Sequence, residues 1–207
     1  MFDEHQDKIG RYARGSHRNM ARVYTFVLAT IQQSLWQTPA IMASIDAEGV
    51  ESRFLWGMKE NGYTYAVSEA EGIYDTSMAI WMSFTDDAIP YELTRFYAGL
   101  PGLGVVKGGF MAQLCFGVSG CIDTHNMALY GVEPKQFKAS IFKSGSIKRR
   151  KRMLTEYMQL IDSEGGCAAL WDRWCEYVYK RNNERYDSAY EVSALHVKAI
   201  LGDEYYE

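Results

Sequence analysis

Apolar residues recur at intervals of three and four positions along much of the chain, the spacing that gives an α-helix one hydrophobic face. The pattern first appears over residues 17–36 and returns in the stretches 148–164, 167–179 and 186–201. Tyr63–Val67 has the composition of a short β-strand, but the sequence offers it no obvious partner strand. The pattern therefore predicts an all-α fold of about eight helices.

No repeat, low-complexity tract or linker divides the 207 residues. Apolar residues make up 47% of the chain and charged residues 23%, as is usual for a globular protein. A chain of this length can bury enough surface for one hydrophobic core. We therefore expect a single compact helical domain that spans residues 1–207.

The stretch Leu100–Asn126 departs from this pattern, because it is rich in glycine and ends in a polar cluster. In its opening turn, Leu100–Gly104, a proline presets φ and two glycines allow a positive φ or a close backbone approach. Helices are predicted before the turn, from Pro90 to Tyr97, and after it, over Val105–Phe116. Since N–H groups at the start of a helix bind anions, the turn suits a phosphate, and the polar cluster Cys121–Asn126 suits chemistry beside it.

Two motifs in this stretch resemble those of the helix-hairpin-helix superfamily of DNA glycosylases, the endonuclease III-like enzymes. In that superfamily an LPG-apolar-G hairpin holds the DNA backbone, and an apolar helix leads to a [V/I]-D-T-H segment with the catalytic aspartate. The matching residues are Leu100–Gly104 and Ile122–His125, so the resemblance implies a helix-hairpin-helix motif within about 90–126. The segment CIDTHN, together with LWDRWC and SALH further on, is most similar to a phage-associated branch, the amino acid:DNA transferases of thymine hypermodification.

The resemblance implies roles for the hairpin and for the start of the helix that follows it. Gly102, Leu103, Gly104 and Val106, together with Lys107, are expected to contact the DNA backbone. A monovalent cation could take part at the hairpin. No other cofactor is implied.

Asp123 is the expected catalytic residue, with Lys107 and His125 beside it. From the residues alone, an aspartate here is typical of a helix N-cap, whereas the resemblance implies a carboxylate that faces the reacting nucleotide. Bifunctional glycosylases carry a lysine at the position of Val106, and a shift of one residue turns a helical side chain by about 100°. Lys107 is therefore expected to contact a phosphate, of DNA or of a leaving group, and lyase chemistry is not expected.

Three further residues are candidates for substrate binding. Asn126 closely follows the acid and, with His125, could hold an incoming amine or a pyrophosphate. Asp172 could bind an amino group, and His196 belongs to the SALH segment. A structural role is the alternative for each of them.

The net charge of −4 argues against a surface coated with phosphate-binding cations. A nucleic-acid site would have to be a local patch, and Lys148, Arg149 and Arg150, in a run of five cations, are the candidates for contact with the DNA backbone. The alternative for this run is a solvated helix face. The aromatic content of 14% fits either an ordinary core or platforms on which bases stack.

The four cysteines form no CxxC pair, no zinc spacing and no iron–sulfur loop of the kind found in many endonuclease III relatives. We therefore expect free thiols in a reducing compartment and no metal site. The N-terminus has no apolar signal segment, and no run reaches the length of a membrane span. These features predict a cytoplasmic protein without a membrane partner, in the host cytoplasm if the chain is phage-encoded.

Four functions stay open at this point. The first is a DNA base-hypermodifying transferase, in which an amino acid co-substrate displaces phosphate or pyrophosphate from an activated 5-hydroxymethyluracil in DNA. The second is a helix-hairpin-helix DNA glycosylase that excises a base. The third is a non-catalytic DNA-binding module in which Asp123 only caps a helix, and the fourth is an unrelated helical enzyme.

Overall fold

Eleven α-helices dominate the part of the chain that this computed structural model describes, residues 3–123, 127, 131–133, 135–182 and 184–202. They are α1 (Asp3–Gly15), α2 (His17–Ala29), α3 (Thr38–Glu48), α4 (Met58–Ser68), α5 (Ala70–Ser83), α6 (Ile89–Gly99), α7 (Val105–Phe116), α8 (Ala139–Ser144), α9 (Ile147–Ser163), α10 (Gly166–Arg181) and α11 (Ala189–Leu201). No strand occurs within the described residues, which confirms the all-α prediction. The strand-like segment Tyr63–Val67 lies inside α4.

Helix α2 is buried from Met20 to Ala29, with only Arg22 partly exposed. It packs against α1, α4, α5 and α7. A helix that has neighbours on several sides can be apolar over most of its circumference. It ends at Ala29, so the boundary predicted near Trp36 is wrong. The chain turns away there, and Gln32 adopts a φ of 58°.

Helices α6 and α7 pack against each other and are joined by the turn Leu100–Gly104. A Cβ on Gly108 would lie 2.6 Å from the backbone nitrogen of Ala98, so only glycine allows this approach. Helix α7 has the predicted bounds, because Gly104 precedes it in an extended conformation and Gly117, at a φ of 68°, ends it. Two helices with a tight turn between them are therefore present where a helix-hairpin-helix motif was expected.

Two hydrophobic clusters share α7. The larger one contains buried residues of α1 to α7, α10 and α11. The smaller one joins the start of α7 to α8, to α9 and to Ile122, Phe137 and Leu170. Residues of both clusters line a cavity. Several of the residues that the sequence singled out also line it.

Among the described residues, no helix combines the length and the apolar character needed to cross a lipid bilayer. All four cysteines lie in this part of the chain, and none of them forms a disulfide bond there, as expected.

Candidate active site

A cavity of about 790 Å³ lies between the start of α7, one face of α10 and His196 of α11. Its size is in the range of small-molecule and cofactor sites. Residues of the segment 30–38 and residues 137–139 complete the wall. The cavity brings together six of the residues that the sequence singled out, namely Gly102, Gly104, Val106, Lys107, Asp123 and His196.

The first turn of α7 forms one part of the wall. Gly104, Val106 and Lys107 line the cavity, and Gly104 provides no side-chain cap. The first N–H groups of a helix have no partner within the helix. This part of the cavity therefore offers N–H donors and the positive end of the helix dipole, an arrangement that favours an anion.

Tight packing explains the glycines of the turn. Gly102 has a φ of 77°, and a Cβ on it would lie 2.5 Å from Leu28 Cδ2. A Cβ on Gly104 would lie 2.4 Å from the Cβ of Ala139 in α8. The side chain of Leu103 is fully buried, so it anchors the turn in the core. Any contact of Leu103 with DNA would have to be made by its backbone.

The carbonyl groups of the turn also have partners. Leu100 O accepts hydrogen bonds from Leu103 N at 3.2 Å and from Lys143 Nζ at 3.1 Å. Pro101 O accepts one from the hydroxyl of Tyr24. A monovalent cation at Leu100 O would therefore compete with the ammonium of Lys143, which already supplies positive charge at that carbonyl.

The ammonium of Lys107 is fixed against the cavity wall. Its Nζ donates to Thr30 Oγ1 at 3.1 Å and lies 5.2 Å from the centroid of the Phe110 ring, within the range of a cation–π contact. An ammonium has three N–H donors. Lys107 can therefore keep its contact with Thr30 and still donate to an anion in the cavity.

Asp123 follows a segment whose backbone is firmly held. The N–H of Cys121 donates to Gln113 Oε1 at 3.2 Å, and the N–H of Ile122 donates to the hydroxyl oxygen of Tyr157 at 3.1 Å. Tyr157 is itself fully buried. Because rigid neighbours define the path of the chain, half-buried Asp123 enters the cavity wall in a defined position.

If Asp123 were a helix N-cap, its side chain would bind backbone N–H groups that lie outside the described residues. The carbonyl of Asp123 accepts a hydrogen bond from Met127 N at 2.7 Å, the spacing of a helical turn. A side-chain cap would bond to N–H groups two or three residues further on, and 124–126 lie outside the described part of the chain. The roles expected for His125 and Asn126 fall in the same segment.

Asp123 and Lys107 both act on the thiol of Cys121. Burial raises the pKa of this thiol to about 12, the Lys107 charge lowers it, and the Asp123 charge raises it further. The thiol is therefore protonated at neutral pH and is not a nucleophile. Cys121, Lys107 and Asp123 all line the cavity, and the charges of Lys107 and Asp123 act on the Cys121 thiol in opposite directions.

Another part of the wall is aromatic and contains His196, which is 1% exposed. Its ring centroid lies 4.7 Å from that of Trp171, 5.1 Å from that of Trp174 and 6.2 Å from that of Phe110. Nδ1 lies 3.1 Å from Val192 O. Burial lowers the pKa of His196 to about 4, so the ring is neutral at physiological pH.

Several residues of this region were missed by sequence reasoning. Trp174 lines the cavity, and Lys138 and Arg181 add positive charge to its wall. Lys59 is not among the wall residues but is fully buried. Its Nζ has no hydrogen-bond partner among the described residues and lies 5.4 Å from the centroid of the Trp56 ring. Burial lowers the pKa of Lys59, and the Lys107 charge lowers it further. The LWDRWC segment signals an aromatic helix face, but no sequence pattern marks a buried lysine that lacks a hydrogen-bond partner among the described residues.

The remaining predicted residues lie apart from the cavity wall. Lys148, Arg149 and Arg150 are exposed in the first turns of α9. Asp172 is half-buried on α10 and is not among the wall residues. The structure therefore does not bring these residues together with Asp123.

Within the described ranges, no three His, Cys, Asp or Glu side chains form a group that could hold a metal ion. Comparisons of the chain with models of protein families, with curated proteins and with solved structures give no match.

Proposed function

We propose that the chain is a DNA base-hypermodifying transferase, in which the amine of an amino acid displaces phosphate or pyrophosphate from an activated 5-hydroxymethyluracil in DNA. The observation that carries this proposal is the presence of Lys107, Asp123 and the start of α7, which lacks a side-chain cap, in one cavity. Such a transfer needs donors for a departing phosphate and a base for an incoming amine. The cavity contains both.

In the proposed reaction, one bond forms and one breaks. The ammonium of the amino acid gives a proton to Asp123 and becomes a nucleophilic amine. Its nitrogen then bonds to the methylene carbon at C5 of the base. The bond from that carbon to the phosphate oxygen breaks, and its electron pair leaves with the (pyro)phosphate. Lys107 and the first N–H groups of α7 stabilise the negative charge on the leaving group.

The aromatic wall supports entry of a base. A duplex hides the reacting atoms of a base, so the substrate nucleotide must leave the stack. Bases stack on aromatic side chains, and the wall includes Phe110, Trp171 and Trp174. Trp36, which is 46% exposed, also lines the cavity, and the guanidinium of Arg185 lies 4.6 Å from its ring centroid. It offers a partly exposed stacking surface at the cavity wall, with a cation on its ring.

The start of α9 supports binding to the DNA backbone. Lys148–Arg152 places five consecutive cations in the first turns of a helix, where the helix dipole disfavours positive charge. Arg150 donates to Gly145 O at 2.8 Å and Arg152 pairs with Glu156 at 3.7 Å, whereas Lys148, Arg149 and Lys151 are exposed and suit attraction of an external polyanion. Short helix α8, with Lys143 in its last turn, connects this patch to Lys138 at the cavity wall. Positive charge thus follows the chain from the cavity to α9.

A DNA glycosylase is the second candidate, and the position of Asp123 also favours it. A carboxylate beside the sugar of an extruded nucleotide could stabilise an oxocarbenium ion or activate water, and the product would be an abasic site. That reaction has no phosphate leaving group. The pairing of Lys107 with the start of α7 therefore favours the transferase.

Mass spectrometry of nucleosides separates these functions. DNA that carries thymine, 5-hydroxymethyluracil, or the phosphorylated or pyrophosphorylated form of that base is incubated with the protein and a pool of amino acids. We expect a nucleoside that has gained an amino acid, formed only from an activated base. Free base and abasic sites would identify a glycosylase instead. Unaltered nucleosides from DNA that the protein binds would identify a non-catalytic module.

A further inference from the structure

Two polar atoms in the aromatic part of the cavity, His196 Nε2 and Trp174 Nε1, have no hydrogen-bond partner among the described residues. Both residues line the cavity, and their ring planes are inclined by 70°. The neighbouring Trp171, in contrast, donates its indole N–H to Ser193 Oγ at 3.1 Å. Buried polar atoms without partners are unfavourable and rare in native proteins. The pair therefore points to a ligand that supplies the missing partners.

The surroundings define what each of these atoms requires. Because Nδ1 of His196 faces Val192 O at 3.1 Å, it carries the ring hydrogen. The ring is neutral, since burial lowers its pKa to about 4, and Nε2 is then a hydrogen-bond acceptor. Trp174 Nε1 can only donate. The ligand must offer one donor to His196 and one acceptor to Trp174.

We propose that this pair binds the edge of a uracil-type pyrimidine base, with base N3–H donating to His196 Nε2 and an adjacent base carbonyl accepting from Trp174 Nε1. The proposal rests on the proposed function and identifies the part of the cavity that holds the substrate base. N3–H and the carbonyls that flank it are neighbours on the pyrimidine ring, so one planar edge supplies both groups.

The aromatic surroundings favour a neutral ring over the charged ends of a free amino acid. Burial of a charge without a partner is far more unfavourable than burial of a neutral amide that forms hydrogen bonds. The rings of Phe110, Trp171 and Trp174 surround His196, and they also offer faces for stacking. The charged co-substrate is instead expected beside Lys107 and Asp123.

Nitrogen-15 NMR of the histidine rings in the full chain tests the contact at His196. Thymidine is titrated into the protein, and 3-methylthymidine, which lacks N3–H, is the matched ligand. The chain has four histidines, and the His196→Phe variant assigns the resonance. We expect thymidine to shift the Nε2 resonance of His196 and 3-methylthymidine to leave it in place.

Two tryptophan variants test the donor. Trp174→Phe keeps an aromatic ring but removes the indole N–H, so thymidine binding should weaken about tenfold. Trp56→Phe is the matched variant, because Trp56 is exposed and is not among the residues of the cavity wall. Its affinity for thymidine should change less than about threefold. Circular dichroism checks that both variants fold.

Equal affinities for the two nucleosides, or equal losses in the two variants, would overturn the assignment. So would a His196 response to free amino acids and none to thymidine. This proposal and the proposed function fail separately. Transfer to DNA without a thymidine response at Nε2 would overturn only the base site, and a thymidine response without any modified nucleoside in DNA would overturn only the transferase.

Discussion

Helices α7 and α9 both begin with groups suited to an anion, but those groups have different surroundings. Helix α7 begins after Gly104 without a side-chain cap, and its first turn lines the cavity. Helix α9 begins after Ser146, whose hydroxyl oxygen accepts a hydrogen bond from Arg149 N at 3.3 Å. Its first turns are exposed and cationic. One helix offers backbone donors in a cavity, and the other offers long side chains in solvent.

Because of this difference, we expect the two helices to contribute to different steps, one to the transfer reaction and the other to DNA binding. Fixed donors in a cavity interact more strongly than exposed donors with charge that develops in front of them. Exposed cations are screened by salt and act on any polyanion. We therefore expect the start of α7 to control the rate of transfer and the start of α9 to control the affinity for DNA.

The largest effect is expected for Lys107→Met, which removes the ammonium and keeps the length of the side chain. The rate of transfer should fall about 10²- to 10³-fold, as for loss of a donor to a charged transition state. DNA affinity should change little. Lys198→Met makes the same change in charge at an exposed position of α11 and should leave the rate unaltered. Single-turnover rates and DNA titrations measure the two quantities, and similar rates for the two variants would contradict the assignment of α7 to the chemistry.

Gly104→Ala should disturb the wall where α7 meets α8. The new Cβ would lie 2.4 Å from that of Ala139, so we expect a loss of about 3 kcal/mol in the free energy of unfolding. Gly72→Ala is the matched change, because this position of α5 has open space around it. It should be neutral or stabilise the protein by about 0.5–1 kcal/mol. Denaturant unfolding compares the two, and equal stabilities would show that α8 does not restrict the turn.

A decrease in pH should destabilise the protein through protonation of His196 in the aromatic part of the cavity. Burial lowers the pKa of His196 from 6.5 to about 4, and the charges of His5 and Lys107 act in the same direction. Between these values the unfolded chain binds a proton that the folded protein does not. The contribution of neutral His196 to the free energy of unfolding is therefore fully present above about pH 6.5. It decreases by about 3 kcal/mol as the pH falls to 4.

His196→Phe should lose this part of the pH dependence. The pKa of His5 is also lowered by burial, but His5 is present in both proteins, so its effect cancels. Denaturant unfolding at several pH values measures the difference. Parallel curves for the wild-type protein and the variant would show that His196 is not held neutral.

Ser146→Ala should have a smaller effect, confined to α9. Loss of the N-cap is expected to lower the free energy of unfolding by about 1 kcal/mol. For a protein of this size, that is a decrease of about 2–4 °C in Tm. Thr155→Ala removes a hydroxyl that donates to Lys151 O within the same helix, and it should change Tm little. Equal changes in Tm would mean that the cap does not matter.

The smallest effect is expected for Arg149→Gln in the exposed cation run. DNA affinity should fall a few-fold, and the slope of log affinity against log salt concentration should decrease by about 0.9. Arg18→Gln, at an exposed position of α2, makes the same change in net charge and should leave the slope unaltered. Fluorescence anisotropy at several salt concentrations gives the slopes. A slope that is the same in wild-type and Arg149→Gln protein would place the DNA backbone elsewhere.

Local signals account for the parts of the fold that the sequence predicted. Helix α7 could be bounded because Gly104 and Gly117 mark its two ends. The end of α2 was missed, because apolar residues continue past the turn at Gln32. The β-propensity of Tyr63–Val67 did not produce a strand, because strand formation depends on a partner and on packing.

The candidate site divides in the same way. Asp123 and Lys107 could be named from a motif of nearby residues, and both line the cavity. The groups that position Asp123 could not be predicted from the sequence. Tyr157, for example, binds the N–H of Ile122 but lies 35 residues away from it in the chain. The Trp174 N–H, which has no partner among the described residues, is also a property of the assembled structure, since Trp171 in the same helix has a partner.

The central claim is that Asp123 accepts a proton from an amine while the start of α7 receives a phosphate. Single-turnover reactions of wild-type and Asp123→Asn protein with activated DNA test it most directly, when modified nucleosides and released (pyro)phosphate are both counted. We predict equal amounts of the two products for the wild-type protein. Asp123→Asn should react at least about 10²-fold more slowly and bind DNA as before. Undiminished transfer by Asp123→Asn, or release of free base by the wild-type protein, would contradict the claim.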